Sequence, residues 1–196
     1  MAENSNPEPT RVYTLKITLE GIEPPVWRRL QLTDNMTLGD LHAAIQVAMG
    51  WEECHLHEFE VAGERYGGSY PGADPDEDDD VANEDDVRLG SIIRQARQRF
   101  LYVYDFGDSW EHTVLVEATT DKPDPNQQYP VCLAGERACP PEDCGGPWNY
   151  AQMLEVYADP DHDDYSDTVE WLGRKFNPEA FSADAVNEAL RRTPFT

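Results

Sequence analysis

Alternating apolar and polar residues open the chain. Every second residue between Tyr13 and Leu19 is apolar, which is typical of a strand with one buried face. Turn-forming residues at 21–25 lead to a second predicted strand at 26–32. The pattern therefore predicts a β-hairpin at the start of the fold.

The hydrophobic spacing becomes helical after this hairpin. Thr37 and Asp40 form a predicted capping box, Met36 is placed to pack on Leu41, and Gly50 ends the helix. The predicted buried stripe consists of Leu38, Leu41, Ile45, Ala48 and Met49. A hairpin followed at once by an amphipathic helix is typical of a grasp-like α+β fold.

The middle of the chain alternates between ordered and polar segments. Residues 51–61 predict a strand, and residues 66–73 predict a loop. The strand would carry His55, His57, Phe59 and Val61 on one face. Residues 74–86 include nine acids and predict a mobile, solvated insertion. A helix is predicted from the spacing of Leu89, Ile92, Ile93 and Ala96.

An aromatic hairpin at 100–112 is the most distinctive local pattern. Phe100, Tyr102, Tyr104 and Phe106 would share one strand face, with Leu101, Val103 and Asp105 on the other. A two-residue type II′ turn at Gly107-Asp108 would place Asp105 and His112 on one face, roughly 7–8 Å apart. A three-residue turn would instead place His112 among the aromatic side chains.

Helices are predicted in the last third of the chain. Pro147 suits a first helical turn, from which Ala151, Leu154 and Ala158 would point inward. Two further helices are predicted near 160–173 and 182–192, the latter capped by Ser182. We therefore predict one α+β domain at 11–196, a mixed or antiparallel sheet with packed helices, after a disordered segment at 1–10.

Charge narrows the set of partners. The chain has 39 acidic and 15 basic residues, and its net charge of −24 argues against direct binding of nucleic acid. A basic protein partner or bound cations fit better. Arginine far outnumbers lysine, which occurs only at Lys16, Lys122 and Lys175, and both a salt-adapted host and a GC-rich genome would explain that excess. With no apolar run of membrane-spanning length and no signal peptide pattern, we expect a cytoplasmic protein without a membrane partner.

Two histidines and a carboxylate suggest a metal site or a catalytic site. His55 and His57 on one strand face, with His112 and Asp105 on a second strand, are the candidates for a two-histidine, one-carboxylate site with a position left open. The candidate catalytic residues are His57, Asp105, Asp108 and His112. The alternative is that these histidines pack over the sheet and bind neighbouring acids.

Two other groups of residues have a looser metal-ligand spacing. Cys132, Cys139 and Cys144 would need a histidine to hold zinc, and they are otherwise buried thiols. The carboxylates Asp159, Asp161, Asp163, Asp167 and Glu170 occupy calcium-loop positions, although Asp164 stands where that loop needs glycine. Zinc is the divalent metal that the candidate ligands favour most.

A ligand-binding face is predicted near the aromatic hairpin. Its candidate residues are Trp27, Arg28, Trp110, Glu142 and Asp143. The alternative for the strand at 26–32 is a salt-bridged sheet face without a ligand.

Four motifs resemble one protein family. They are His55-x-His57-x-Phe59, the run from Tyr102 to His112, Cys139-Pro-Pro-Glu-Asp-Cys-Gly-Gly146, and Trp171-Leu-Gly with Asn177-Pro-Glu-Ala-Phe181. Together they resemble the plasmid open-reading-frame-three-like family over roughly residues 11–192. Its members are often labelled insertion-element passenger proteins, sometimes resolvase-type. The resemblance implies an α+β domain and a link to mobile elements, with no established reaction. A resolvase needs a basic DNA-reading domain, and residues 147–196 are not basic enough for one.

Three hypotheses of function follow. The first is an accessory module of mobile-element origin that binds a protein or small ligand at the sheet face near His57, Asp105, Asp108 and His112. The second is a metal-dependent, hydrolase-like enzyme that uses His55, His57, His112 and Asp105 as ligands. The third is an acidic mimic of DNA. The sequence favours a non-enzymatic protein and does not indicate an oligomeric state.

Overall fold

An eight-stranded mixed sheet forms the centre of the computed structural model, which describes residues 8–68 and 80–195. The strands are β1 (Arg11–Leu19), β2 (Val26–Thr33), β3 (His57–Val61), β4 (Glu64–Gly67), β5 (Val81–Asn83), β6 (Arg99–Tyr104), β7 (Trp110–Asp121) and β8 (Val131–Glu136). Their order across the sheet is β5-β4-β3-β6-β7-β1-β2-β8. Only the β4–β5 pair is parallel among these described strands.

Helices accompany the sheet in the same described part of the chain. They are α1 (Leu38–Met49), α2 (Leu89–Ile92), α3 (Gly146–Ala158), α4 (Tyr165–Leu172) and α5 (Ala183–Leu190), with a 3-10 helix at Glu84–Asp86. The predicted α+β class with a single domain and C-terminal helices is confirmed. None of the helices within residues 8–68 and 80–195 is both long and apolar enough to cross a membrane.

The predicted opening hairpin and its helix are confirmed. β1 and β2 pair in antiparallel register, and α1 follows directly. Thr37 Oγ1 accepts a hydrogen bond from the Asp40 amide at 3.0 Å, and Asp40 Oδ2 accepts one from the Thr37 amide at 2.8 Å. Gly50 closes the helix in the left-handed region, at φ 90°.

The core lies between α1 and one face of the sheet. Leu15, Ile17 and Leu30 of the sheet pack there with Leu41 and Ile45 of α1, and all five are fully buried. The inward face of β6 and β7 adds Tyr102, Tyr104, Trp110 and Val114. Because strand side chains alternate, the opposite sheet face carries half-buried residues.

The two-residue turn predicted at Gly107-Asp108 is wrong. β6 ends at Tyr104 and β7 begins at Trp110, so five residues join them, and Tyr102 pairs with His112. Asp105 leaves the ladder because its backbone amide donates to the Leu56 carbonyl at 2.8 Å, and its carboxylate accepts from the Gly107 amide at 2.9 Å. The longer loop changes the parity, so His112 lies among the aromatic side chains and not on a shared face with Asp105.

The strand predicted at 51–61 is shorter than expected. β3 begins at His57, and residues 51–56 form a loop in which Glu53 has φ 56°. Hydrogen bonds to a distant segment hold this loop, because Trp51 Nε1 donates to the Pro140 carbonyl and the Glu52 amide to Glu142. His55 therefore lies in a loop, while His57 faces the core.

The structure also contains strands where loops were predicted. β4 overlaps the start of the predicted 66–73 loop and pairs with β3 across a turn at Ala62-Gly63, both with positive φ. Within the acidic segment, residues 74–79 lie outside the described residues, as do residues 1–7 of the predicted disordered start. In the remainder, Asp80, Asp85 and Asp86 are exposed, but the prediction of a loop is wrong, because β5 and the 3-10 helix form there and Glu84 is buried against His57.

Two predicted helices differ in extent or orientation. The helix predicted from Leu89 to Ala96 is a single turn, α2, that ends at Ile92. In α3, Gly146 and Tyr150 are buried, whereas Ala151 and Ala158 are exposed. The predicted inward orientation is therefore wrong for Ala151 and Ala158, whereas Leu154 packs against the core as predicted. Ser182 caps α5 as predicted, accepting a hydrogen bond from the Ala185 amide at 3.2 Å.

Candidate metal centre

Three loops meet at one end of the sheet. The first, residues 50–56, carries His55; the second follows β6 and begins with Asp105; the third connects β8 to α3 and carries Glu142 and Asp143. The Asp105 amide donates to the Leu56 carbonyl, and Trp51 Nε1 donates to the Pro140 carbonyl at 2.9 Å. These bonds fix the loops relative to one another.

Three carboxylates from the second and third loops approach His55, with Asp105 and Asp143 in one group of ligand atoms and Glu142 in another with Cys54. His55 Nε2 lies 3.1 Å from Asp143 Oδ1, 3.7 Å from Asp105 Oδ2 and 3.8 Å from Glu142 Oε2. We call His55, Asp105, Glu142 and Asp143 the His55 cluster. The Cys54 thiol lies beside it, with its sulfur within 4.8 Å of the ligand atoms of His55 and Glu142.

The His55 cluster carries more negative charge than its surroundings balance. No lysine or arginine among the described residues forms an ion pair with its three carboxylates. His55 Nε2 and Glu142 Oε2 are both buried and have no hydrogen-bond partner of good geometry. Since unpaired buried polar atoms cost free energy, a cation between them would stabilise the arrangement.

Hydrogen bonds from neighbouring residues orient Glu142. Its Oε1 accepts from the Tyr104 hydroxyl at 3.0 Å and from the Glu52 amide at 2.8 Å. Burial, followed by the bond to Glu142, raises the pKa of Tyr104, so its hydroxyl stays protonated and donates. With Oε1 held in this way, Oε2 remains available to the cluster.

The 3.1 Å between His55 Nε2 and Asp143 Oδ1 fits two ligands of one small divalent ion, whereas Asp105 and Glu142, at 3.7 and 3.8 Å, would have to move closer to join them. Two ligand atoms about 2.1 Å from one ion are about 3.0 Å apart at 90° and about 3.4 Å apart at the tetrahedral angle. One imidazole nitrogen with several carboxylate oxygens suits zinc, manganese or iron. The Asp143 side chain is 74% exposed, so the cluster opens to solvent on that side.

The structure separates His57 from the His55 cluster. His57 Nε2 lies 2.9 Å from both carboxylate oxygens of Glu84, and its ring stacks on His42 with centroids 3.4 Å apart. His42 Nδ1 in turn lies 2.8 Å from the Tyr102 hydroxyl. Burial, and then His57, lower the pKa of His42 to about 3, so His42 is neutral at neutral pH. This buried network connects the 3-10 helix to the sheet.

His112 is also remote from the His55 cluster. It is fully buried beside Trp51 and Tyr102, and its Nδ1 donates to the Tyr102 carbonyl at 3.3 Å. Burial lowers its pKa to about 4. Of the four predicted metal ligands, the structure therefore brings together His55 and Asp105.

The predicted ligand-binding residues have different environments. Trp110 is fully buried, and Arg28 is 3% exposed, donating to the carbonyls of Ala48, Trp27 and Glu136. Trp27 lies on the opposite sheet face from Arg28, where its Nε1 donates to Glu136 at 3.0 Å. Glu142 and Asp143 belong to the His55 cluster.

Asp108 binds the loop that carries Glu142 and Asp143, next to the His55 cluster. Its Oδ2 accepts from the Gly145 amide at 2.9 Å. Gly146 passes close to the Asp108 carbonyl, where a β-carbon would come within 2.6 Å of the oxygen, so only glycine fits. Asp108 thus joins the β6–β7 loop to the loop that carries Glu142 and Asp143.

The predicted zinc and calcium ligands do not converge in the described residues. The groups of three ligand atoms within 4.8 Å of one another centre on His55 and include none of those cysteines or carboxylates. Burial raises the pKa of Cys144 to about 12 and also raises those of Cys132 and Cys139, which keeps the thiols protonated. In the proposed calcium loop, Asp159 instead accepts a hydrogen bond from the Asp161 amide.

Sequence reasoning missed His42 and Glu84. A signal for His42 was available, because His42 and Gln46 are spaced i, i+4 on α1 and both contact the Tyr102 hydroxyl. Glu84 had no comparable signal, since it is one acid in a long acidic run.

Comparison with known proteins shows the family of the chain. A family model described as "Plasmid pRiA4b ORF-3-like protein" matches residues 11–185. The chain belongs to this family. The three family-like segments His55–Phe59, Tyr102–His112 and Cys139–Gly146 contain all four residues of the His55 cluster.

Relatives of this pRiA4b ORF-3-like chain include one curated protein and one solved structure. The chain is 37% identical over 183 residues to "Uncharacterized protein y4hQ" of Sinorhizobium fredii (strain NBRC 101917 / NGR234), covering 91% of this chain and 90% of that protein. It is also similar to the crystal structure of the protein of unknown function MM3350 from Methanosarcina mazei Go1. The identity is 40%, the TM-score 0.81, and the match covers 90% of this chain and 98% of that one.

Proposed function

We propose that this protein binds a divalent metal ion through His55, Asp105, Glu142 and Asp143 and uses the open side of that ion to bind a ligand. The observation that carries the proposal is His55 Nε2, a buried nitrogen without a hydrogen-bond partner, 3.1 to 3.8 Å from three carboxylate oxygens. Carboxylates from two further loops surround it, and no described lysine or arginine pairs with them.

Each residue would have a distinct role. His55 supplies the nitrogen ligand, and Asp105 and Glu142 supply oxygens that the protein already holds in place. Asp143, the exposed member, is the ligand that solvent or a bound molecule can displace. A bound ion would supply Lewis-acid chemistry, which supports the hypothesis of a hydrolase-like activity.

Metal analysis tests this proposal. Protein purified without an affinity tag, or reconstituted with zinc, manganese or ferrous iron, should hold about one ion per chain. His55→Ala removes the nitrogen ligand and should lose most of the bound metal. His162→Ala is the matched control, because His162 is exposed and outside the cluster. The proposal would be contradicted if the wild-type protein held no metal after reconstitution. Full retention of the metal by His55→Ala would also contradict it.

An interaction module is the second candidate, favoured by exposed aromatic side chains near the same loops. Phe106, which follows Asp105, is 52% exposed, and Trp148, at the start of α3, is 73% exposed. Large exposed aromatics are typical of protein contact sites. The plasmid in the family description supports an accessory role on a mobile element. This candidate takes precedence if the protein binds no metal.

A further inference from the structure

A cavity of about 650 Å³ lies beside the β3–β4 turn and shares no residue with the His55 cluster. Tyr66 of β4, Ile92 of α2 and Val87, which follows the 3-10 helix, supply apolar walls. Arg94 and Arg99 line the same cavity. The size is in the range of small-molecule sites, and the lining combines apolar surface with a few polar groups, as such sites do.

The charge around this cavity is opposite to that of the protein. Residues 88–99 contain four arginines and no acidic residue, in a chain with a net charge of −24. Arg94 and Arg99 are exposed, and neither forms an ion pair with a described residue. Glu64 is the acid in the lining. Within residues 8–68 and 80–195, the two guanidinium groups therefore remain available to an anion.

The wall that carries these arginines is fixed by hydrogen bonds. Gln98 Oε1 accepts from the Arg94 amide at 2.8 Å, and its Nε2 donates to the Ile92 carbonyl at 2.9 Å. The Arg97 amide donates to the Val116 carbonyl, and the Val116 amide donates to the Gln98 carbonyl. The backbone of this wall is therefore preorganised, which lowers the entropic cost of binding.

We infer that this cavity binds a small anion with an apolar or aromatic body. The guanidinium groups of Arg94 and Arg99 would bind a phosphate or carboxylate group, for which the planar fork of arginine is suited. Tyr66 and Ile92 would contact the apolar body of the same molecule. This site is independent of the proposed metal centre.

Titration with small aryl anions tests the inference. Phenyl phosphate and benzoate should be added separately, and binding followed by NMR shifts of the Arg94 and Arg99 Nε–H groups and of Tyr66. We expect a Kd of about 1 mM or tighter for at least one of them. Preference for phenyl phosphate identifies a phosphate site, and preference for benzoate a carboxylate site. Benzyl alcohol, which is neutral, should bind at least about tenfold more weakly.

Matched variants separate a specific site from general attraction. The double variant Arg94→Gln, Arg99→Gln should lose about tenfold or more in affinity. Arg97→Gln removes one charge from the same loop but lies outside the lining, so it should keep nearly wild-type affinity. The inference is overturned if neither anion binds below about 10 mM. Wild-type affinity in the double variant, or an equal loss in Arg97→Gln, would also overturn it.

Discussion

Burial decides the charge of His112. Its Nδ1 donates to a backbone carbonyl, and its Nε2 is buried without a partner. Burial removes the protonated ring from water and lowers the pKa from 6.5 to about 4, although the backbone groups of Tyr102 and Trp110 partly favour the charged form. His112 is therefore a core residue that is neutral at pH 7 and becomes charged only in acid.

Acid should destabilise the fold through His112. Because the unfolded chain binds more protons than the folded one, the free energy of unfolding decreases as pH falls from about 6.5 to about 4. The loss should be on the order of 3 kcal/mol. The lowered pKa of His42 adds to it in the same direction. Urea unfolding measured at intervals between pH 7 and pH 4 gives the dependence.

Replacing His112 tests whether this residue causes the loss of stability in acid. His112→Gln should be less stable at pH 7 but should show a shallower decrease with falling pH. His162→Gln, which changes an exposed histidine, should keep the wild-type slope. An unchanged slope in His112→Gln would assign the pH dependence to other groups.

At the scale of elements, Asn187 of α5 substitutes for a strand next to the edge strand β8. Its Oδ1 accepts from the Cys132 amide at 2.7 Å, and its Nδ2 donates to the Cys132 carbonyl at 2.8 Å. These are the two bonds that a neighbouring strand would make. The side chain thus satisfies the outer backbone groups of β8 and attaches α5 to the sheet.

Asn187→Ala should destabilise the protein by about 1–3 kcal/mol, because two buried backbone groups lose their partner. Glu188→Ala on the same helix removes only an exposed pair with Arg192 and should cost less than about 1 kcal/mol. Urea unfolding of both variants at pH 7 checks the difference. Equal losses would mean that Asn187 contributes no more than a surface residue.

The elements that the sequence predicted correctly depend on local signals. β1, β2 and α1 have clear periodicity, and the capping box at Thr37 is encoded within four residues. The β6–β7 loop was predicted wrongly because its length depends on a bond between Asp105 and Leu56, which lies far away in sequence. A local sequence pattern does not indicate hydrogen bonds between residues that are distant in sequence.

At the scale of the whole molecule, the His55 cluster exists only because three distant loops meet. His55 and Asp105 were predicted as metal ligands, and Glu142 and Asp143 as ligand-binding residues, but the sequence did not indicate that all four converge. Their contact depends on the Trp51–Pro140 and Tyr104–Glu142 bonds between loops. His57 and His112 were grouped with them because the strand length and turn parity were predicted wrongly.

The most direct test of the proposed metal centre is a crystal structure of the protein grown with manganese or zinc, with data collected at the absorption edge of the metal. The proposal predicts an anomalous peak about 2.0–2.3 Å from His55 Nε2, in contact with Asp105 and Glu142 oxygens. A well-ordered His55 cluster without a peak, or a metal bound only elsewhere, would contradict it.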